Sequence, residues 1–334
     1  MALIENLSMI SFEDYLTKPE MWDIFVCCSS FEERCTRSSE ILRNKRSKIR
    51  TSILHNYKET DSENMKDKNA KIIEENLRQI SGQFLSQGGE SVSSPREGIA
   101  KFLSFIEENN INLIDRRIAV DITVFTKPYF FLLFRVLREK FRVDHICVVY
   151  TEPERYKEKS LDTGEIILTE GLDRVESFPG FTGSSAEPKD ALIVQLGFEG
   201  KRALDVFNNI NPEVVYAING FPSYQPGWHK ISFEANMRFL RESRSYDHMF
   251  SAPAADPFEN EKTISGIARE IKQRGGLNIV IAPLGTKIQA FGALLYAFQD
   301  DNAKVVYPVP SCYKADYSYK FGPSWIFKAS LDDY

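Results

Sequence analysis

Two Thr-Lys turns carry the residue types best suited to bind a phosphate. The stretch Leu277–Gln299 reads as an apolar strand, a Pro-Leu-Gly turn, Thr286–Lys287 and then an apolar helix. The stretch Arg117–Leu137 repeats this order, with Thr126–Lys127 between its strand and its helix. A strand that turns into a helix start directs backbone N–H groups and a partial positive charge at one point. Each turn is therefore a candidate anion site, to which Thr adds a hydroxyl and Lys a cation.

Two further pairs of segments recur in the same order along the chain. Ser30–Arg34 resembles Gly197–Lys201, and each follows an apolar strand. Val148–Tyr156 likewise resembles Val305–Tyr313. Three matched anchors in one order favour an internal duplication, with two similar α/β halves in one chain. The alternative is that any two Rossmann-like domains share this strand–turn–helix order.

Length and patterning together predict the architecture. The chain has 334 residues, which corresponds to about two domains. Strands that alternate with helices, with near-continuous Val/Ile runs, predict an α/β fold of two tandem Rossmann-like halves, whose mostly parallel sheets carry helices on both faces. A helix is predicted near Ala70–Gln83, followed by a flexible connector at Ser86–Pro95. The predicted boundaries are a lead-in at 1–20, a first half at 21–157, a connector at 158–189 and a second half at 190–334 with an aromatic C-terminal tail.

Charge and cysteine content narrow the classes of partner and compartment. The net charge of -5 does not favour a nucleic-acid partner, which only a local basic surface could meet. The five cysteines show no CxxC and no Cys/His metal spacing, which predicts reduced thiols and no metal site. No signal peptide is recognisable, and no run approaches the roughly 20 apolar residues of a membrane span. We therefore expect a cytoplasmic protein with no membrane partner.

Candidate catalytic residues are few, and whether the protein is an enzyme stays open. The chain has no GxGxxG, Walker or GxSxG motif, so no cofactor is predicted. Asp121 ends a strand at the expected ligand edge, although it could equally cap the following turn. Glu199 recurs as Glu32 in the other half, and a structural ion pair at the helix start explains both as well as catalysis. His229 follows an aromatic loop, Phe221–Trp228, and is the best functional candidate among the histidines.

The first Thr-Lys turn carries a family resemblance. The segment Asp121–Lys127, DITVFTK, is similar to the strand–D/N-x-T-G-G-T-K–helix motif of CRISPR-associated Rossmann-fold (CARF) sensor domains, and Leu284–Lys287 looks like the end of that motif. A chain with two such halves resembles the SAVED domain, a fused pair of CARF-like units. Val124 and Phe125 replace the two motif glycines. The second half keeps one glycine but has Ile281 and Pro283 in place of the Asp/Asn and the first Thr.

The resemblance implies a ligand and the residues that bind it. These families bind cyclic oligonucleotides made during anti-phage signalling, across the cleft between the two units. Because the chain shows no obvious nuclease or other effector domain, the resemblance implies an effector protein as partner. The ligand-binding positions implied are Ser29, Ser30, Arg34, Thr123, Thr126 and Lys127 in the first half, and Gly197, Lys201, Arg202, Gly285, Thr286 and Lys287 in the second.

Three functions follow as hypotheses. The leading one is binding of a nucleotide-like phosphorylated ligand, such as a cyclic oligonucleotide, between two facing sheet edges in a bacterial defence pathway. The second is an enzyme that acts on a nucleotide or phosphosugar, by glycosyl or phosphoribosyl transfer or by hydrolysis. The third is a scaffold subunit of a defence complex that docks a partner through the aromatic loop and the tail Tyr317–Trp325.

Overall fold

The protein consists of two α/β units. The computed structural model describes residues 9–17, 20–58, 63–91, 94–156, 166, 168–184, 187, 189–313 and 318–331. The first unit comprises Met1–Tyr156 and Ser318–Asp333, and the second comprises Lys157–Tyr317 together with Tyr334. Each unit is built on its own main sheet, so the predicted α/β class with two Rossmann-like halves is confirmed.

Strands and helices alternate through both units. In chain order the strands are β1 (Ile10–Ser11), β2 (Met21–Ser29), β3 (Lys48–Lys58), β4 (Ser81–Ser91), β5 (Ile118–Asp121), β6 (His145–Thr151), β7 (Arg155–Tyr156), β8 (Thr169–Glu170), β9 (Arg174–Thr182), β10 (Lys189–Gln195), β11 (Val214–Gly220), β12 (Met249–Ala252), β13 (Leu277–Pro283), β14 (Lys304–Val309), β15 (Cys312–Tyr313), β16 (Ser318–Tyr319) and β17 (Ser324–Ser330). The helices are α1 (Phe12–Tyr15), α2 (Arg37–Asn44), α3 (Glu63–Arg78), α4 (Pro95–Glu108), α5 (Lys127–Phe141), α6 (Gly200–Ile210), α7 (Trp228–Ala235), α8 (Met237–Glu242), α9 (Pro257–Arg274) and α10 (Lys287–Gln299).

The two main sheets share one strand order. In the first unit the order is β1-β17-β6-β5-β2-β3-β4, and in the second it is β12-β11-β10-β13-β14-β9. Strands β2 to β6 are parallel in one sheet, and strands β10 to β14 are parallel in the other. In each sheet the first parallel strand is central, with the second and third on one side and the fourth and fifth on the other. The repeat seen in the sequence thus extends to the topology, which is that of a Rossmann-like sheet.

Helices cover both faces of each sheet because the strand order reverses at the central strand. Right-handed crossovers then place the helices before and after the reversal on opposite faces. The helices pack accordingly, α2 with α3 and α4 with α5 in the first unit, and α6 with α8 and α9 with α10 in the second. Helix α10 is buried from Ile288 through Phe298, as expected for a helix that is apolar on all sides. No helix in the described part of the chain is both long and apolar enough for a membrane span.

The sixth strand of each sheet comes from an unexpected part of the chain. β17 pairs antiparallel with β6, from Ser324 opposite Thr151 to Ser330 opposite His145. β9 pairs antiparallel with β14. The predicted assignment of the C-terminal tail to the second half is therefore wrong, and the predicted connector at 158–189 contains an edge strand of the second unit. Local patterning could not show this, because the backbone groups on the outer edges of β6 and β14 find partners far away in sequence.

Strand β4 is a second correction in the first half. The sequence pattern predicts a helix near Ala70–Gln83 and then a flexible connector, but α3 ends at Arg78 and β4 runs parallel to β3 over Ser81–Ser91. The strand reads SGQFLSQGGES, which is poor in the β-branched residues that usually mark a strand. Pairing with the buried β3 overrides this weak local preference.

The pairing of β17 with β6 leads to a prediction about truncation of the chain. A chain that ends at Tyr313 lacks β16 and β17, and with them the buried Phe327 and Leu331. We expect hydrogen exchange, followed by mass spectrometry of peptides, to accelerate in β6 and the rest of the first unit. The peptides of β10 to β14 should keep the protection that they show in the full-length chain. Loss of protection confined to the second unit would instead support the boundary that the sequence predicted.

Candidate functional site

The first-strand loop of the first unit contains a buried ion pair. Arg34 Nε donates to Glu32 Oε2 at 2.8 Å, and both side chains are about 4% exposed. The guanidinium also donates to the Tyr150 hydroxyl at 3.3 Å and to the Thr151 carbonyl at 3.0 Å. Glu32 Oε2 accepts a further hydrogen bond from the Ser318 hydroxyl at 2.6 Å. The pair therefore connects the loop to β6 and to β16.

The second unit repeats this network with one shift in register. Arg202 lies over the ring of Tyr307 at 4.9 Å, and it donates to the Pro308 carbonyl and to the Thr169 hydroxyl. Glu199 Oε1 accepts from the Thr169 amide at 2.9 Å and from its hydroxyl at 2.7 Å. The arginine follows the glutamate by three residues here and by two in the first unit, so it is Arg202, not Lys201, that takes the place of Arg34.

These contacts give Arg34, Arg202 and Glu199 an internal role. Each arginine binds the carbonyl that follows a tyrosine of the fifth parallel strand, and each glutamate accepts a hydroxyl from the segment before the sixth strand. Arg34 and Arg202 are 3% and 9% exposed, so a ligand phosphate would have to displace their protein partners. We therefore leave both arginines out of the ligand site proposed below. Glu199 Oε2 lies 4.0 Å from Arg202 Nε, which is the ion pair at the helix start that the sequence offered as the alternative to catalysis.

Asp121 lies in the interior of the first unit. Its side chain is 2% exposed, and its Oδ1 accepts the Thr123 amide at 2.8 Å, which is the turn-capping geometry. Burial raises the pKa of Asp121, against the opposing effects of hydrogen bonds and of Arg34. The Thr123 hydroxyl accepts the Thr151 amide at 2.9 Å, and Ser29 bonds to Asn56. Asp121, Thr123 and Ser29 thus hold the ends of neighbouring strands together, and Ser30 is buried beside them.

Two buried groups in the first unit have displaced pKa values. Burial raises the pKa of Glu152 from 4.5 to about 7, although its Oε1 accepts the Trp325 indole N–H at 2.5 Å. The pKa of His55 is lowered from 6.5 to about 4, mainly by burial and to a smaller extent by the nearby charge of Lys66. His55 is therefore a neutral ring at pH 7, and it packs against Tyr57, Phe125 and Tyr129.

The second Thr-Lys turn binds its own helix. The Thr286 hydroxyl accepts the Gln289 amide at 3.1 Å, the Gln289 side chain accepts the Thr286 amide at 3.0 Å, and the same hydroxyl donates to the Ala254 carbonyl at 2.7 Å. Gly285 is required there, because a Cβ would collide with the Gln289 side chain. Gly197 has a similar reason, since a Cβ would collide with the Leu284 carbonyl. This turn is a capping box that closes on itself.

The first Thr-Lys turn has a different surrounding. Thr126 is the N-cap residue of α5 and makes no side-chain cap. Its amide donates instead to the Tyr57 hydroxyl at 3.3 Å, and Lys66 donates to the Tyr57 carbonyl. Tyr57 therefore connects the start of α5 with a cation of α3, while Lys127 is half-buried at the first position of α5. Val124 and Phe125 fill the space that two glycines would leave open, and Phe125 stacks on the Tyr129 ring at 5.0 Å.

The remaining candidates lie apart from these groups. His229 is half-buried in the second unit, with its ring against Phe221 at 4.8 Å and its Nδ1 3.5 Å from the Ser223 hydroxyl. Lys201 is exposed at the start of α6. Asp121 belongs to one unit, whereas Glu199 and His229 belong to the other. Among the described residues, no group of three His, Cys, Asp or Glu side chains could hold a metal ion.

The two predicted docking surfaces, the aromatic loop Phe221–Trp228 and the tail Tyr317–Trp325, differ in how far their aromatic side chains are exposed or packed. Phe221 is 51% exposed in the aromatic loop, while Trp228 packs edge-on against Phe198 at 5.8 Å. Residues 314–317, including Tyr317, lie outside the described residues. The described part of the tail forms β16 and β17 in the first unit, so its apolar residues complete a sheet.

Sequence reasoning missed three residues at the carboxyl edge of the first sheet: Asn56, Tyr57 and Lys66. Asn56 and Tyr57 are near the end of β3, next to β2, so they reach the same edge as Ser29. A signal for them was available, because the strand TSILHNY was recognisable and its last residues had to fall at the ligand edge. Lys66 could not be placed, since its helix was predicted to start later.

Comparison with known proteins does not add a family to this picture. No protein-family model matches the chain, and no curated protein matches it either.

The internal role of the arginines can be tested by their removal. Arg34→Met keeps the length of the side chain but leaves Glu32 buried without its cation, which typically costs about 3–5 kcal/mol. We expect a marked fall in the urea midpoint of the first unit, and the same for Arg202→Met in the second. Arg238→Met, which breaks the exposed Arg238–Glu242 pair, is the control and should leave the midpoint unchanged. A normal midpoint for Arg34→Met would show that the arginine is available to a ligand.

The raised pKa of Glu152 predicts a pH-dependent effect of its substitution. Because the folded pKa of about 7 exceeds the unfolded value of 4.5, the proton bound by Glu152 stabilises the fold below pH 4.5, and that stabilisation is lost as the pH rises through 7. The shift corresponds to about 3 kcal/mol. Glu152→Gln, which carries no charge, should therefore be more stable than the native chain at pH 8, and the difference should shrink by pH 5.

The measurement is urea unfolding of both chains at pH 8, 6.5 and 5. The depressed pKa of His55 acts in the opposite direction, since its stabilisation is present above pH 6.5 and is lost as the pH falls through 4. That contribution is common to both chains and cancels in the difference between them. A difference that does not change with pH would contradict the assignment to Glu152.

Proposed function

We propose that the first unit binds a nucleotide-like phosphorylated ligand at the carboxyl edge of its sheet, beside the N-terminus of α5. The observation that carries the proposal is the first turn of this 15-residue helix, where Thr126 makes no side-chain cap and Lys127 follows it. Helix N-termini attract phosphate through backbone N–H groups and the helix dipole. An ammonium group at the first helical position adds to this attraction.

The electrostatics of the edge support an anionic ligand. Lys66 on α3 donates to the Tyr57 carbonyl, and the Tyr57 hydroxyl accepts from Thr126, so the two lysine-bearing helices meet around one tyrosine. Lys66 is close enough to His55 for its charge to add to the effect of burial, which is the main cause of the lowered pKa of His55. A phosphate placed between Lys66 and Lys127 would be attracted by both ammonium groups.

Polar groups along the same edge suit the rest of a nucleotide. Asn56 Nδ2 donates to the Ser86 hydroxyl at 2.9 Å, while Ser29 donates to Asn56 Oδ1. These three side chains form a row across the ends of β2, β3 and β4. Ser29 is 0% exposed and holds Asn56 from the interior. The half-buried amide of Asn56 and the exposed hydroxyl of Ser86 are the kind of partners that a ribose or a base edge requires.

The second unit is not part of this proposal, because Gln289 caps the corresponding turn. We propose four further features of this function: a cyclic oligonucleotide as the ligand, a bacterial defence pathway, an effector protein as partner and a cytoplasmic location. Their support is the resemblance of the first Thr-Lys segment to CARF sensor domains.

The asymmetry between the units gives the test. We would screen AMP, ATP, a linear diadenylate and cyclic di- and triadenylates by thermal shift, since a ligand that binds the native state raises the melting temperature by mass action. Lys127→Met should weaken binding of the active compound by about tenfold or more, the effect of a lost charged contact. Lys287→Met should leave binding unchanged.

Lys140→Met, farther along α5, is the control for a general loss of positive charge. The proposal fails if no compound shifts the melting temperature, or if Lys287→Met abolishes binding and Lys127→Met does not. Conversion of a compound during incubation, detected by mass spectrometry, would favour the enzyme hypothesis instead.

A further inference from the structure

A cavity of about 230 Å³ lies at the opposite, amino-terminal edge of the first sheet. Its walls come from Trp22 near the start of β2, Ile118 at the start of β5 and Cys147 on β6. Helix α1 contributes Tyr15, whose ring stacks on that of Trp22 with centroids 6.4 Å apart and planes 25° apart. The lead-in segment before β2 therefore takes part in the wall of a cavity with an aromatic side.

One cation in this cavity has no carboxylate to compensate it. Lys328, on β17, lies opposite Cys147 in the sheet and half-buried, with its ammonium 4.8 Å from the centre of the Tyr15 ring. It makes no ion pair with any of the described residues. Arg117, the other cation of the lining, is held by Glu20 at 2.7 Å. Among the described residues of the lining, Lys328 is therefore the cation without a carboxylate partner; its ammonium hydrogen-bonds the Tyr15 side chain and lies next to apolar walls.

A buried donor completes the set of polar groups. Trp22 is 0% exposed, and its indole N–H has no oxygen or nitrogen acceptor among the described residues but is directed at the Cys147 thiol, whose pKa this hydrogen bond lowers against the larger effect of burial. A buried N–H without such an acceptor is costly unless a ligand or solvent supplies one. The half-buried thiol of Cys147 lies on the same wall and is a weak acceptor, so an anionic oxygen would be a stronger one. An anionic oxygen could satisfy both the lysine and the indole.

The size of the cavity limits the ligand. A volume of 230 Å³ equals about eight water molecules at about 30 Å³ each. Drug-sized pockets begin at about 300 Å³, so a cyclic oligonucleotide is far too large. A planar ring with one acidic group is of the right size, and its body could pack against the apolar wall of the cavity.

We propose that this cavity binds a small organic monoanion with an apolar, planar body, of the class of aromatic carboxylates. The carboxylate is held by Lys328, and the ring lies against the apolar wall of the cavity. This site is separate from the proposed phosphate site, which is at the other edge of the same sheet.

The probe is 4-fluorobenzoate, followed by the broadening of its ¹⁹F signal in the presence of the full-length protein. Neutral 4-fluorobenzyl alcohol has the same ring without the charge and should bind at least about tenfold more weakly, because it lacks the charged contact. Lys328→Met, which keeps the apolar stem, should weaken binding of the acid by a similar factor. Lys140→Met, outside the cavity, should not.

A second measurement locates the site. Saturating 4-fluorobenzoate should slow the alkylation of Cys147 by iodoacetamide, read from the modified peptide by mass spectrometry. Circular dichroism melting shows that each variant is folded. Equal binding of the acid and the alcohol, unchanged binding in Lys328→Met, unprotected Cys147 or no binding at millimolar concentration would each overturn the proposal.

Discussion

The outer edge of the fifth parallel strand needs a hydrogen-bonded neighbour in both sheets, and the rest of the chain is arranged around this need. β6 receives β17, and β14 receives β9, each in antiparallel register. Along the chain, the next main-sheet strand after β6 is β9, which belongs to the second unit. The next one after β14 is β17, which belongs to the first unit. The chain therefore passes from the first unit to the second and back, and the first unit completes its sheet only with a segment that follows the whole second unit.

The duplicated Glu–Arg networks make the pairing of these edge strands specific. In each unit a buried arginine binds the carbonyl after a tyrosine of the fifth strand, and its glutamate accepts a hydroxyl from the segment before the sixth. Buried pairs of this kind gain little net stability but impose a strong penalty on any arrangement that separates them. They therefore favour the correct edge strand over other apolar segments, and Phe-Glu recurs in the first-strand loops for this reason.

The two Thr-Lys turns show how similar sequences can serve different purposes. In the second unit, Gln289 lies one turn into α10 and closes the capping box with Thr286. In the first unit the corresponding helix begins Lys127-Pro128-Tyr129 and has no glutamine to cap it. A single side chain thus decides whether the helix start is capped by its own first turn.

Some features of the protein follow from the sequence alone. The Val/Ile-rich strands, the apolar helices and the repeated anchors predicted two Rossmann-like halves, because burial on both faces of a parallel sheet leaves a continuous apolar run. The turns at Thr126 and Thr286 were correctly placed before helices, because a strand, a turn and an N-cap residue are local in the chain.

Other features were decided only by the tertiary structure. β4 is a strand because β3 pairs with it, although SGQFLSQGGES has little strand preference of its own. The tail belongs to the first unit because β17 pairs with β6. In this pairing Ser324 lies opposite Thr151, more than 170 residues earlier in the chain, and no local pattern can indicate so distant a partner. Likewise, Arg34 and Arg202 have the charge of ligand-binding residues, but burial next to a glutamate and a tyrosine gives them an internal role. Sequence patterns record what each segment prefers, whereas long-range backbone pairing and burial select which of those preferences is used.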